Sequence, residues 1–174
     1  SIRLTGHDYS QSGLYFITLC AVNKICMFGN VVDGKMQLND IGQLVEQEWL
    51  NTINICHDDV RLHNYIVMPN HFHAIIEIRR GESHSPQTIN EGNINENDLP
   101  QRMKSPSKTV GAIVRGFKGA VSRQLGYTVW QRNYYEHIIR TDASYRHISN
   151  YIKTIQQNGN PINYIPRRGE SHSP

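Results

Sequence analysis

The run Met68-Pro69-Asn70-His71-Phe72-His73 sets two imidazoles two residues apart, after a turn and inside a strand-like stretch from Tyr65 to Ile78. Side chains alternate across a strand, so His71 and His73 share one face and Phe72 takes the other. Two imidazoles side by side on a sheet can hold a divalent metal. The same spacing also suits two ordinary polar residues, and nothing local decides between them. Glu77 falls on the same face by alternation, so activation of water by the pair is a further option. The second source of chemistry is tyrosine. Tyr151 sits at the edge of an apolar helical stripe, where a phenol is either a nucleophile or a packing group. Tyr134, Tyr135 and Tyr145 are its rivals.

The elements that must position these groups can be read along the chain. Leu14 to Val22 is rich in β-branched and aromatic residues and reads as a buried strand. Asp33-Gly34 inside Val31 to Met36 predicts a tight hairpin, because both residues tolerate positive φ. Asn39 or Asp40 can cap a helix reaching about Thr52, with Ile41, Leu44, Val45 and Trp49 on its inner face. Val60 to Met68 and His71 to Ile78 form an antiparallel pair around a Pro69-Asn70 turn. Ser107 can cap a helix from Lys108 to Leu125, and Tyr134 to Arg140 reads as a fourth core strand. Asp142 can cap a last helix, Ala143 to Gln157, with Tyr145, Ile148, Ile152 and Ile155 as its buried stripe. Strand, helix, two strands, helix, strand, helix predicts an α+β, ferredoxin-like or RRM-like antiparallel sheet with helices on one face.

Residues 79–105 break this pattern. They are polar and rich in Asn, Glu, Ser and Pro, and they read as a flexible insertion in one domain spanning 1–158, with 159–174 as a tail. Arg79 to Pro86 recurs letter for letter as Arg167 to Pro174, and no role follows from that. The 174 residues are 38% hydrophobic and 19% charged, enough for a real core. No apolar run approaches the roughly 18–20 residues of a membrane span, and no signal-peptide pattern opens the chain. Cys20, Cys26 and Cys56 form no CxxC pair and read as reduced residues, so a cytoplasmic, nucleoid-associated protein is expected. Net charge is only +3, yet Arg102, Lys104, Lys108, Arg115, Lys118 and Arg123 follow one another with no acidic residue between them. Such a stripe is either a phosphate-binding surface or a solvated helix face. Lys118 leads as a DNA contact, beside Arg115 and Arg123, and its loss should weaken binding and flatten the salt dependence. Trp130, Tyr134 and Tyr135 offer stacking surfaces if exposed; core packing is the competing role for Trp130 and one of the tyrosines.

The His motif resembles the metal-binding signature of the HUH single-strand endonucleases. Trp130-Gln131-Arg132-Asn133-Tyr134-Tyr135-Glu136-His137-Ile138-Ile139-Arg140, then Tyr145-Arg146-His147 and Tyr151-Ile152, resembles their REP-associated tyrosine transposase branch. The opening, Arg3-Leu4 through Asp8-Tyr9 to Gly13-Leu14-Tyr15-Phe16, is similar as well, so the likeness runs from about Arg3 to Ile152. The resemblance implies the HUH endonuclease fold, with His71 and His73 as ligands of Mg²⁺ or Mn²⁺. It implies Tyr151 as a nucleophile that forms a covalent 5′-phosphotyrosine and frees a 3′-OH. The implied partner is single-stranded or hairpin DNA. His147, one helical turn before Tyr151, is a candidate phosphate contact, with help to the tyrosine or a structural role as the alternatives. Homodimers and monomers both occur among such enzymes, so oligomeric state stays open.

In related enzymes a polar side chain one helical turn after the tyrosine completes the metal site. Here that position is Ile155, which cannot ligate; Gln156 is next and is the candidate third ligand. Three readings follow: a metal-dependent tyrosine transposase or nickase, a decayed or domesticated hairpin-DNA-binding protein, and a metallohydrolase that uses the His pair on water.

Overall fold

The computed structural model describes residues 12–56, 60–79 and 109–158. Ser107, residues 80–105 and the tail 159–174, and with them nearly all of both octapeptide copies, lie outside the described residues. The elements are β1 (Gly13–Cys20), β2 (Gly29–Val32), β3 (Lys35–Leu38), α1 (Asp40–Cys56), β4 (Val60–Met68), β5 (His71–Ile78), α2 (Val110–Leu125), β6 (Tyr135–Ile139) and α3 (Asp142–Asn158). Four strands make one sheet in the order β4-β5-β1-β6, with every neighbouring pair antiparallel. Strands β2 and β3 form a separate hairpin, closed by Asp33 and Gly34 at φ 50° and 73°. Two successive positive φ values define a type I′ turn, whose twist matches that of the flanking strands. This is the α+β antiparallel architecture anticipated from the element order.

The helices lie on both faces of the sheet, not on one. Helices α1 and α2 cover the face that carries Tyr15, Ile17 and Leu19 of β1 and Phe72, Ala74 and Ile76 of β5. Helix α3 covers the other, packing Ile148, Ile152 and Ile155 on Phe16, Ile66, Met68, Ile75 and Ile139. Strand β5 shows the reason: six of its eight residues are buried, so it has two faces to remove from water. Each fully buried isoleucine contributes about 1.5–3 kcal/mol, so the α3 stripe is a substantial second core.

The α1 cap is one of the two candidates in the sequence, and the other two caps differ from the expectation. Asn39, not Asp40, caps α1, its Oδ1 accepting from Gly42 N at 3.0 Å. Thr109, not Ser107, caps α2 by accepting from Ala112 N at 3.2 Å. Thr141, not Asp142, caps α3 through Ser144 N at 3.1 Å. At Gly42 a Cβ would collide with the carbonyl oxygen of Phe28, so α1 starts where only glycine lets the two backbones approach. No helix among the described residues is long and apolar enough to cross a membrane.

Candidate active site

His71 and His73 lie on the α3 face of β5, their ring centroids 4.7 Å apart. Antiparallel register sets Cys20 and Met68 opposite His71, and Thr18 and Ile66 opposite His73. His71 Nδ1–H donates to Asn70 Oδ1 at 2.7 Å, which directs the Nε2 lone pair away from the turn. His73 is 4% exposed, stacks on Phe16 at 5.2 Å and shares a 2.8 Å hydrogen bond between Nδ1 and Thr18 Oγ1. Its Nε2 is buried and has no hydrogen-bond partner. An unanswered buried polar atom costs about 1–3 kcal/mol. The donor chemistry therefore fits a divalent metal: two neutral imidazoles, each with Nδ1 engaged and Nε2 available. Burial holds His71 below its ordinary pKa, and burial together with the neighbouring His71 lowers His73 to about 3. Both rings are thus unprotonated at neutral pH, as ligation requires.

Tyr151 comes from the other layer. Its ring meets His73 edge-on at a centroid distance of 5.7 Å, and it packs at the margin of the α3 core. The fold thus brings together three of the residues singled out in the sequence. Ile155 is buried in the α3 core. Gln156 is exposed, and its Nε2 donates to the Tyr65 carbonyl at 2.7 Å, so its amide binds the β4 backbone. Glu77 accepts from His63 Nε2 at 3.0 Å and from Arg79 Nε at 3.1 Å. Among the described residues no group of three or more His, Cys, Asp and Glu can hold a metal. His147 is exposed on α3.

The expected DNA contacts on α2 sit across the sheet from the His pair. Arg115 and Arg123 are exposed there. Lys118 is half-buried and structurally engaged: Nζ donates to the carbonyls of Gln131 at 2.6 Å and Arg132 at 3.1 Å, and burial lowers its pKa. Trp130 is a core residue, with ring centroids 5.1 Å from Phe28 and 5.7 Å from Phe117, and offers no stacking surface. Core packing, the competing role for Trp130 in the sequence, is the one it takes; periodicity could not decide it, because Trp130 stands outside the regular elements and is held by an isolated bridge to Ala21. Tyr134 is partly buried and donates to Glu136 at 2.7 Å, while Tyr135 is 40% exposed. Sequence reasoning missed Thr18 and Asn70, the groups that orient the two imidazoles. Asn70 was discoverable as the neighbour of His71; Thr18 needed the β1–β5 register.

No family model matches the chain. An uncharacterized protein of Haemophilus influenzae is 43% identical over 170 residues, covering 93% of this chain and 87% of that one. The chain belongs to the family of that protein. Among solved structures, a REP-associated tyrosine transposase bound to a REP hairpin superposes with a TM-score of 0.56. It is 18% identical, over 87% of this chain and 70% of the other, so the two share a fold. The antiparallel α+β fold expected from the resemblance is therefore the fold this chain shares with that transposase.

Proposed function

We propose that this protein is a tyrosine transposase or nickase of the REP-associated branch, acting on single-stranded DNA with hairpin character. The observation that carries the reading is the pairing of His71 and His73, with the buried Nε2 of His73, against the ring of Tyr151. The fold shared with a transposase bound to a REP hairpin supports the same class of DNA partner.

In this reading the Tyr151 phenolate oxygen attacks phosphorus. A Tyr–O–P bond forms, the P–O3′ bond breaks, and the 3′ oxygen leaves and takes a proton. The phenol proton passes to solvent or a nearby base. The new ester keeps the energy of the broken phosphodiester, so a 3′-OH can reverse the step without ATP. His71 and His73 would hold Mg²⁺ or Mn²⁺, which supplies Lewis-acid polarisation of the phosphate. A free phenol with pKa about 10 is ionised to only about 0.1% at neutral pH, so Tyr151 needs such help.

A second reading has its own support. Ile155 is buried where the resemblance calls for a third ligand, and Gln156 is bound to the β4 backbone. A hairpin-binding protein that has lost cleavage fits those two facts. The metallohydrolase is the weakest reading, because Glu77 is engaged by His63 and Arg79. The deciding experiment incubates labelled single-stranded hairpin DNA with Mn²⁺ and resolves products on a denaturing gel, with Tyr151→Phe and His71→Ala alongside. A protease-sensitive covalent band, lost in both variants, is expected. Binding with no band favours the decayed reading; hydrolysis that survives Tyr151→Phe favours the metallohydrolase.

A further inference from the structure

Strand β4 carries a register break. It pairs regularly with β5 from Val60 to Leu62 and again from Tyr65 to Met68, leaving His63 and Asn64 between the two runs. Such an irregularity re-aims side chains. Here all three residues that follow Leu62 meet α3. The imidazole Nδ1 of His63 accepts from Tyr145 Oη at 3.0 Å, Asn64 Oδ1 accepts from Ser149 Oγ at 2.8 Å, and the Tyr65 carbonyl accepts from Gln156 Nε2 at 2.7 Å. The far side of His63 is anchored too: Nε2–H donates to Glu77 Oε2 at 3.0 Å, and a carboxylate can only accept. That bond sets the tautomer and leaves Nδ1 to receive the tyrosine proton. Ser149 is itself buried.

The apolar stripe of α3 cannot supply what these contacts supply. Hydrophobic contact is non-directional, and Ile148, Ile152 and Ile155 could be satisfied by a helix shifted or rotated slightly. Directed hydrogen bonds in a partly dry site specify one arrangement. Tyr145 and Gln156 flank Tyr151 on either side along the helix, so the bonds fix both its height and its rotation.

We infer that His63, buttressed by Glu77 and joined by Asn64, is a positioning residue that holds the tyrosine helix in register, so that Tyr151 stays on His73. His63 does not touch the reacting atoms; it acts through Tyr145. The inference rests on Tyr151 as nucleophile for its catalytic consequence, but not for its structural one.

The test uses the full chain and four variants: His63→Ala, His63→Gln, Tyr145→Phe and the double variant His63→Ala/Tyr145→Phe. Hydrogen exchange is read separately on α3 and α1, and the ring-to-ring NOE between His73 and Tyr151 is recorded. Where covalent product forms, its rate is measured against DNA concentration. Expected for His63→Ala is exchange on α3 faster by about tenfold, the effect of one lost hydrogen bond, with α1 unchanged. The NOE weakens, and kcat for the covalent step falls while KM for DNA holds. His63→Gln, which can still accept from Tyr145, restores part of each effect, and the double variant is no worse than either single one. Equal loosening of α1 and α3, or an unchanged NOE, overturns the inference. If wild-type protein forms no covalent product, the transposase reading fails while exchange and NOE still judge the positioning role.

Discussion

At the scale of single residues, the site is defined by how His73 is held. Phe16 beneath it, Thr18 beside it and Tyr151 above it remove it from water, and burial drives its pKa to about 3. That shift has a consequence for stability. In the unfolded chain the imidazole takes a proton near pH 6.5, whereas in the folded protein it resists until about pH 3. Between those values the unfolded state binds more protons, so stability falls as pH falls through this window, by up to about 1.4 kcal/mol per unit for one group. His71 shifts in the same direction, and Glu77 adds to the loss at lower pH. Desolvation alone would raise the Glu77 pKa, but hydrogen bonds from His63 and Arg79, with their charges, leave it lowered. Urea midpoints measured from pH 7 to pH 4 should drop steadily, and His73→Gln should flatten the slope. An equally steep slope in His73→Gln would assign the acid sensitivity elsewhere. A divalent metal that binds the neutral rings should offset part of the loss, which dialysis against a chelator would reveal.

At the scale of elements, the segment after α2 shows why part of the site was hidden. The strands β4 and β5 and the turn between them are marked by alternation and by Pro69-Asn70, and their bounds were legible to the residue. So was the shared face of His71 and His73. Periodicity put Tyr145 in the stripe of α3 and Tyr151 at its edge, which does not tell a nucleophile from a packing group; the resemblance made the choice, and the ring contact with His73 agrees with it. The role of Lys118 was not legible and that of Trp130 stayed undecided between stacking and core packing, because both depend on residues 129–132, which have no period of their own. That segment extends the end of β1 through Gln131 N to Cys20 O at 2.9 Å, and Lys118 clasps it from α2. A lysine outside an apolar stripe looks the same in sequence whether it faces phosphate or a carbonyl. Lys118→Met should therefore lower stability by about 1–3 kcal/mol, because it strands two carbonyls, and urea denaturation reads this directly. It should leave the salt slope of DNA binding unchanged; a slope that flattens would return Lys118 to the phosphate surface.

At the scale of the whole molecule, the sheet divides chemistry from charge. The face under α3 holds His71, His73 and Tyr151, and the opposite face carries α2 with exposed Arg115 and Arg123. A nucleic acid that touches both must pass around an edge or an end of the sheet, and a protein–DNA contact so far from the reacting phosphate can alter binding without altering chemistry. Each phosphate contact on a single strand contributes about 0.7 to the slope of log K against log salt. The double variant Arg115→Ala/Arg123→Ala should therefore bind a hairpin substrate more weakly at low salt, with its slope reduced by about 1.4. Its covalent product should form at the wild-type rate once DNA is saturating, because no bond around His73 has changed. Titration at several salt concentrations, followed by single-turnover cleavage on the same preparation, measures both quantities. An unchanged slope would make α2 a solvated face and move the DNA surface to the α3 side of the sheet. A lower rate at saturation would mean that the two faces are coupled through the strands, which the separation of the two cores argues against.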